Sequence, residues 1–138
     1  MKIVIDTNVV VAGLKSRKGA SFQVLSRIGT DAFDIGLSVP VLVEYETVLK
    51  RMHLPHLTAH NIEAFLDYVC AVADNREIFY LWRPYLKDPK DDMILEIAVA
   101  SQADYIVTFN LRDFSNIDLF GVEAITPQQL LQKIGAQS

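Results

Sequence analysis

Five short apolar runs, separated by segments of helical periodicity, constrain this chain more than any other feature. Lys2–Ile5 ends at Asp6, Phe33–Ser38 stops just before Pro40, and Glu77–Leu81, Tyr105–Val107 and Val122–Ile125 follow. Runs this short, with little alternation of polar and apolar residues, are the pattern of strands buried on both faces. Between them, Phe22, Val24, Leu25 and Ile28 share one helical face. A second helix is expected over 40–51 through Val41, Tyr45, Val48 and Leu49, and a third through Ile62, Phe65, Leu66 and Val69. Asp91–Ala103 is apolar nearly all round, which predicts a deeply covered helix, and Pro127–Ile134 closes the chain as another. Strand and helix in alternation predict an α/β fold, a three-layer α/β/α sandwich on a parallel sheet of about five strands. The length fits one domain over residues 1–138. In such sheets ligands bind outside the C-terminal ends of the strands, so the residues just after each run carry the functional argument.

Those residues are acidic or polar. Asp6 follows the first run, Thr108, Asn110 and Asp113 follow the fourth, and Asp91 and Asp92 open the covered helix that feeds it. Several carboxylates at one edge suit a hard cation. Mg²⁺ takes oxygen ligands, keeps several waters and needs only one or two protein carboxylates per ion. With such an ion a water can be activated for phosphodiester hydrolysis and no protein nucleophile is required. That matters because the chain has no Ser-His-Asp or Cys-His arrangement and no glycine-rich phosphate loop. Each acid also has a plainer use. Asp6 can cap the helix after it, and Asp88 through Asp92 can cap and charge-complement theirs. On a helical wheel Glu44 and Glu46 fall at opposite margins of one apolar stripe, and the wheel leaves the choice between them open.

The net charge of −4 and pI near 5.3 argue against a module that holds duplex nucleic acid by phosphate contacts alone. They leave a nuclease open, because an acidic metal site accounts for the balance. The cluster Lys15, Arg17, Lys18 reads as a solvated loop. The first apolar run is too short for a signal peptide or a membrane span, and the single cysteine, Cys70, rules out an internal disulfide or a cysteine zinc site. A cytoplasmic protein without membrane attachment is expected. His53, His56 and His60 have near-helical spacing, but Pro55 interrupts it, so they belong to a surface loop. Trp82 and Tyr85 could stack on an unpaired base, although aromatics beside a strand end more often complete a core or a dimer face.

Four segments together resemble the PIN-domain family, and in particular its VapC-like bacterial toxin branch, over essentially the whole chain. They are Ile3-Val-Ile-Asp6-Thr-Asn8, Ser38-Val-Pro-Val-Leu-Val-Glu44-Tyr45, Asp88-Pro-Lys-Asp-Asp92 and Tyr105-Ile-Val-Thr108-Phe-Asn110-Leu-Arg-Asp113-Phe114. The resemblance implies a Mg²⁺-dependent endoribonuclease, with Mn²⁺ able to substitute, acting on RNA as the toxin of a toxin–antitoxin pair. It places Asp6, Glu44 and Asp92 at the metal, with Asp92 preferred over its neighbour Asp91 from the spacing to Thr108. Asn110 stands where the family often has a fourth acid. Asp113, three residues on, is counted with the catalytic carboxylates, and one metal ion or two stays open. Thr7, Asn8, Asp91, Thr108 and Asn110 are expected to hydrogen-bond the ligands or their water. The implied partners are a small antitoxin, which can present an Arg to the carboxylates, and a second copy of the chain. The apolar surplus of residues 93–100 and 41–52 is the expected dimer surface.

Four rivals are weaker. A phospho-acceptor receiver domain needs an Asp after its third strand and a Lys after its fifth, where this chain has Leu81-Trp82 and Ile125-Thr126. A phosphatase of the Asp-x-Asp type needs an acid at Asn8. A non-catalytic PIN-like adaptor would keep the fold, and an RNA-processing nuclease without an antitoxin would keep the chemistry as well.

Overall fold

The computed structural model describes residues 1–78 and 85–135. Strand β1 (Lys2–Ile5) leads directly into helix α1 (Thr7–Lys15), followed by α2 (Ala20–Ser26), β2 (Asp34–Leu37), α3 (Val39–Met52) and α4 (Ala59–Val72). A two-residue β3 (Asp74–Asn75), α5 (Pro89–Ala100), β4 (Tyr105–Val107), β5 (Glu123–Ile125) and α6 (Pro127–Lys133) complete it, with short 3₁₀ turns at Leu111–Phe114 and Asp118–Phe120. The five strands are all parallel in the order β3-β2-β1-β4-β5, so the expected three-layer α/β/α architecture is borne out.

Local chemistry explains the boundaries. Ser38 caps α3 by accepting from the Val41 amide, and Pro40 sits in the first turn where its missing N–H costs nothing. Thr58 with Asn61, and Thr126 with Gln129, form reciprocal caps at the starts of α4 and α6. The core is aliphatic: Ile3 and Val4 of β1, Ile106 and Val107 of β4, and Ile94, Leu95 and Ile97 of α5 are almost fully buried. Covered by β1, β2 and β4 on one side and α3 on another, α5 shows the all-round burial expected of it.

Two expectations need correction, and one helix gains its bounds. The helix that Asp6 caps spans Thr7–Lys15; the β-branched run Val9-Val10-Val11 masks its periodicity in the sequence, and Val9 and Val10 are buried. This helix packs closely on α2, where a Cβ at Gly13 would lie 2.4 Å from the Leu25 side chain. The third strand lies at Asp74–Asn75, ahead of the expected Glu77–Leu81; Glu77 and Ile78 are irregular, and residues 79–81 and Trp82 lie outside the described residues. Finally, Ile94, Leu95, Ile97 and Ala98 are consumed by the chain's own core, so residues 93–100 offer no dimer surface. Exposed apolar residues lie on α3, at Val39 and at Val43 within the expected 41–52 stretch, and on α4, at Tyr68 and Val72.

The strand order fixes where a site can form. From the central β1 the chain runs outward through β2 to β3, then returns to build β4 and β5 on the other side. The order therefore reverses between β1 and β4. The connections leaving their C-terminal ends diverge and open a crevice there.

Candidate active site

Asp6 and Thr108 are the residues immediately after β1 and β4, and the crevice brings them into contact. Thr108 Oγ1 donates to Asp6 Oδ2 at 2.7 Å, and the Thr7 amide donates to Asp6 Oδ1 at 2.8 Å. The Asn110 amide in turn donates to Thr108 Oγ1 at 3.0 Å, so the hydroxyl is both donor and acceptor and its orientation is fixed. The Tyr45 hydroxyl donates to the Ile5 carbonyl from α3, tying that helix to the residue before Asp6. Asp6 thus caps α1 and also faces the crevice. Its carboxyl lies above the ordinary value because burial outweighs the two hydrogen bonds that favour its charge, with Asp113 and Glu44 adding repulsion.

The crevice widens into a cleft of about 510 Å³ lined by Asp6, Asn8, Glu44, Asp91, Asn110 and Asp113, with Asp88 at its edge. The choice the helical wheel left open is settled in space. Glu44 lines the cleft, its side chain 12% exposed, with the Lys90 ammonium 3.7 Å from its Oε2. Glu46 lies outside the cleft and pairs with Lys50.

The adjacent acids at the start of α5 separate in the same way. Consecutive helical residues point about 100° apart. Asp91 lines the cleft. Asp92 is 2% exposed and accepts at Oδ1 from the Leu86 amide at 2.8 Å and the Tyr85 amide at 3.4 Å, while its Oδ2 has no hydrogen-bond partner. Of the two, Asp91 is the one that lines the cleft, while the loop amides turn Asp92 inward. Burial, then the charges of Asp6, Asp88, Asp113 and Asp92, push the Asp91 carboxyl up to about 7. That is the signature of like charges sharing one space.

The donors around the cleft are all oxygens, the set a hard divalent ion prefers. Asn8 Oδ1, on a cleft-lining residue, is buried without a partner and supplies a further neutral acceptor. These residues fit such an ion. Among the described residues no three His, Cys, Asp or Glu side chains form a group placed to hold an ion together. Sequence reasoning missed three cleft residues: Lys90, Asp88 as part of the acidic rim, and Phe109, half-exposed beside Thr108. Lys90 and Asp88 had been absorbed into helix capping, and Asp88 does cap α5 by accepting from the Lys90 amide.

The PIN-domain model matches residues 2–112. The chain belongs to the PIN-domain family. The match takes in Asp6, Glu44, Asp91 and Asp92 and stops one residue before Asp113. In fold, this PIN domain is similar to VapBC2 from Rickettsia felis, solved bound to a DNA fragment from its promoter (18% identity, 91% of this chain and 99% of that one, TM-score 0.62). It is similar also to VapBC-1 from nontypeable Haemophilus influenzae (14% identity, 93% of this chain and 99% of that one, TM-score 0.63). No curated protein sequence matches the chain. Among the described residues no helix is long and apolar enough to cross a membrane.

Proposed function

We propose that this PIN domain is a Mg²⁺- or Mn²⁺-dependent endoribonuclease of the VapC-like kind, the toxin of a toxin–antitoxin pair. The observation that carries the reading is the convergence of Asp6, Glu44, Asp91 and Asp113 on one cleft at the reversal of strand order, with Asp91 raised to about 7 by burial and then by the charges of Asp6, Asp88, Asp113 and Asp92. Asp6, Glu44 and Asp91 would hold the ion, with Asp113 and Asn110 beside it. A divalent ion bound there supplies Lewis acidity to the scissile phosphate and lowers the pKa of a water. Thr108 and the Thr7 amide hold the Asp6 carboxylate in one orientation, and the buried Oδ1 of Asn8 has no hydrogen-bond partner. Asp92 supports the site from behind by tying down the Leu86 amide; its unpartnered Oδ2 is its remaining claim to be a ligand.

The likeness in fold to two VapBC proteins supports an antitoxin partner for this chain, and the Lys90–Glu44 approach shows that a cationic side chain can reach the acidic group. The exposed α3 and α4 residues support a homodimer, and the single cysteine a reducing, cytoplasmic setting. The test is cleavage of single-stranded RNA by purified protein. Activity with Mg²⁺ or Mn²⁺ that disappears in excess chelator is expected, and cleavage unchanged by chelator would overturn the reading. The adaptor alternative draws on one observation, the Lys90 ammonium beside Glu44 in place of a metal. Titration with Mn²⁺ separates them, since an adaptor would bind none.

A further inference from the structure

Beyond the acidic group lies a second basin of about 540 Å³, whose wall includes Tyr85, Lys87, Arg112, Ser115 and Asn116. It shares Asp88, Asp91 and Asp113 with the first cleft, so those acids form a ridge between two adjoining hollows. The second hollow is lined differently. Lys87 and Arg112 are exposed and make no ion pair among the described residues, although three carboxylates share their basin. Tyr85 is committed to the wall: its hydroxyl donates to the Asn116 carbonyl at 2.8 Å and its ring meets Phe120 edge-on. It cannot serve as a free stacking platform. Across the ridge, the first cleft carries Lys15 and Lys90 and the half-exposed ring of Phe109.

Resting on the nuclease reading above, we infer that the second basin is a nucleic-acid subsite: Lys87 and Arg112 hold a backbone phosphate of an unpaired strand that crosses the acidic ridge. An unpaired strand places phosphates on both sides of the one being cleaved. Cations on both sides of the ridge match that pattern, whereas the ridge itself repels a phosphate until a cation neutralises it. Arg112 can grip a phosphate bidentately and Lys87 as a point charge. On the other side Phe109 offers a face on which a base can stack, an interaction indifferent to base identity. An apolar segment would find no complement in the second basin, because it would bury the two cations unpaired.

The experiment compares Lys87→Gln, Arg112→Gln and their double variant with wild type and with Lys133→Gln. Lys133 lies over Tyr105 at the far end of β4, so its loss removes one positive charge away from the cleft. With a fluorescein-labelled unpaired RNA oligonucleotide and Mg²⁺, the double variant should raise KM about tenfold with kcat within twofold of wild type. Its dependence of log(kcat/KM) on log salt should flatten by about 0.7, the value for one phosphate contact on a single strand. Mn²⁺ affinity, measured without RNA, should not change, which a general collapse of the site would not allow. Unaltered KM and salt slope in an active double variant would overturn the subsite and leave the nuclease reading standing. If wild type cleaves nothing, the nuclease reading falls, and anisotropy of the same oligonucleotide with Mg²⁺ present decides the subsite. Binding weakened in the double variant but not in Lys133→Gln supports it; equal binding, or none by wild type, overturns it.

Discussion

Asp91→Asn removes the charge that the cleft tolerates least. The Asp91 carboxyl is raised from 3.8 to about 7, so the folded protein resists ionising it while the unfolded chain does not. At about 1.4 kcal/mol for each tenfold in proton affinity, full desolvation would make this a penalty of about 4 kcal/mol above neutral pH. Asp91 is only partly buried, and solvent screening reduces the figure to about 1 kcal/mol. The variant also forfeits a negative charge in the first turn of α5, worth roughly 0.3 kcal/mol or more at such a position. A net gain of about 0.5 kcal/mol or slightly more remains, or about 2 °C in melting temperature for a domain of this size.

The sign of the pH dependence follows from the raised value. Stability from this group is fully present below about pH 4 and is lost as pH climbs through 7, because the unfolded chain releases the proton first. Metal-free wild type should therefore lose stability between pH 4.5 and 8 more steeply than Asp91→Asn, and the variant should melt higher at pH 8. Scanning calorimetry in chelator at both pH values measures the difference. Adding Mg²⁺ should then raise the melting temperature of wild type and leave the variant nearly unmoved. A variant that melts no higher than wild type at pH 8, with the pH slope intact and a full response to Mg²⁺, would refute both the repulsion and the assignment of Asp91 to the ion.

Asp92→Ala should cost about 1–3 kcal/mol, since the Leu86 and Tyr85 amides lose their acceptor; denaturant melts check it, and a neutral result would mean that these bonds contribute nothing. Thr108→Val keeps the volume but removes the donor to Asp6, so stability should fall by about 1.5 kcal/mol or more, and the acid limb of the activity profile should move to higher pH as Asp6 becomes harder to ionise. Arg76 and Lys2 hold Asp74 down to about 2, a stabilisation present above pH 4 and lost as pH falls towards 2. Lys2→Met should therefore flatten acid unfolding over that window, followed by circular dichroism. Val43→Glu, on the exposed stripe of α3, should convert a dimer to monomer in light scattering with the melting temperature of the monomer kept.

How much of this was legible in the sequence depended on whether a residue's job was set by its neighbours in the chain. The parallel sheet was legible because burial on both faces leaves short apolar runs, and α5 because burial all round leaves no polar face. Helix α1 was hidden, since Val9-Val10-Val11 are residues that favour strands, and only the packing of Val9 and Val10 into the core makes them helical. The two-residue β3 carries too few side chains to leave any pattern. For the site, Asp6 could be read because it terminates a strand. Glu44 could not be told from Glu46 by the wheel, since both border the same stripe and the difference is which neighbour each meets.

The separation of Asp91 from Asp92 shows most clearly where linear reasoning ends. Spacing to Thr108 assigns a register along the chain, but one residue on a helix is a turn of about 100°, enough to move a carboxylate from a cleft to a core. What sets that angle here is a pair of amides, Tyr85 and Leu86, that donate to Asp92. A buried N–H left unpaired is costly, so the loop holds Asp92 inward and Asp91 outward as one arrangement. Capping and lining the cleft are then complementary uses of neighbouring acids. Asp88 and Asp92 secure the start of α5, and Asp91 between them lines the cleft with Asp6, Glu44 and Asp113.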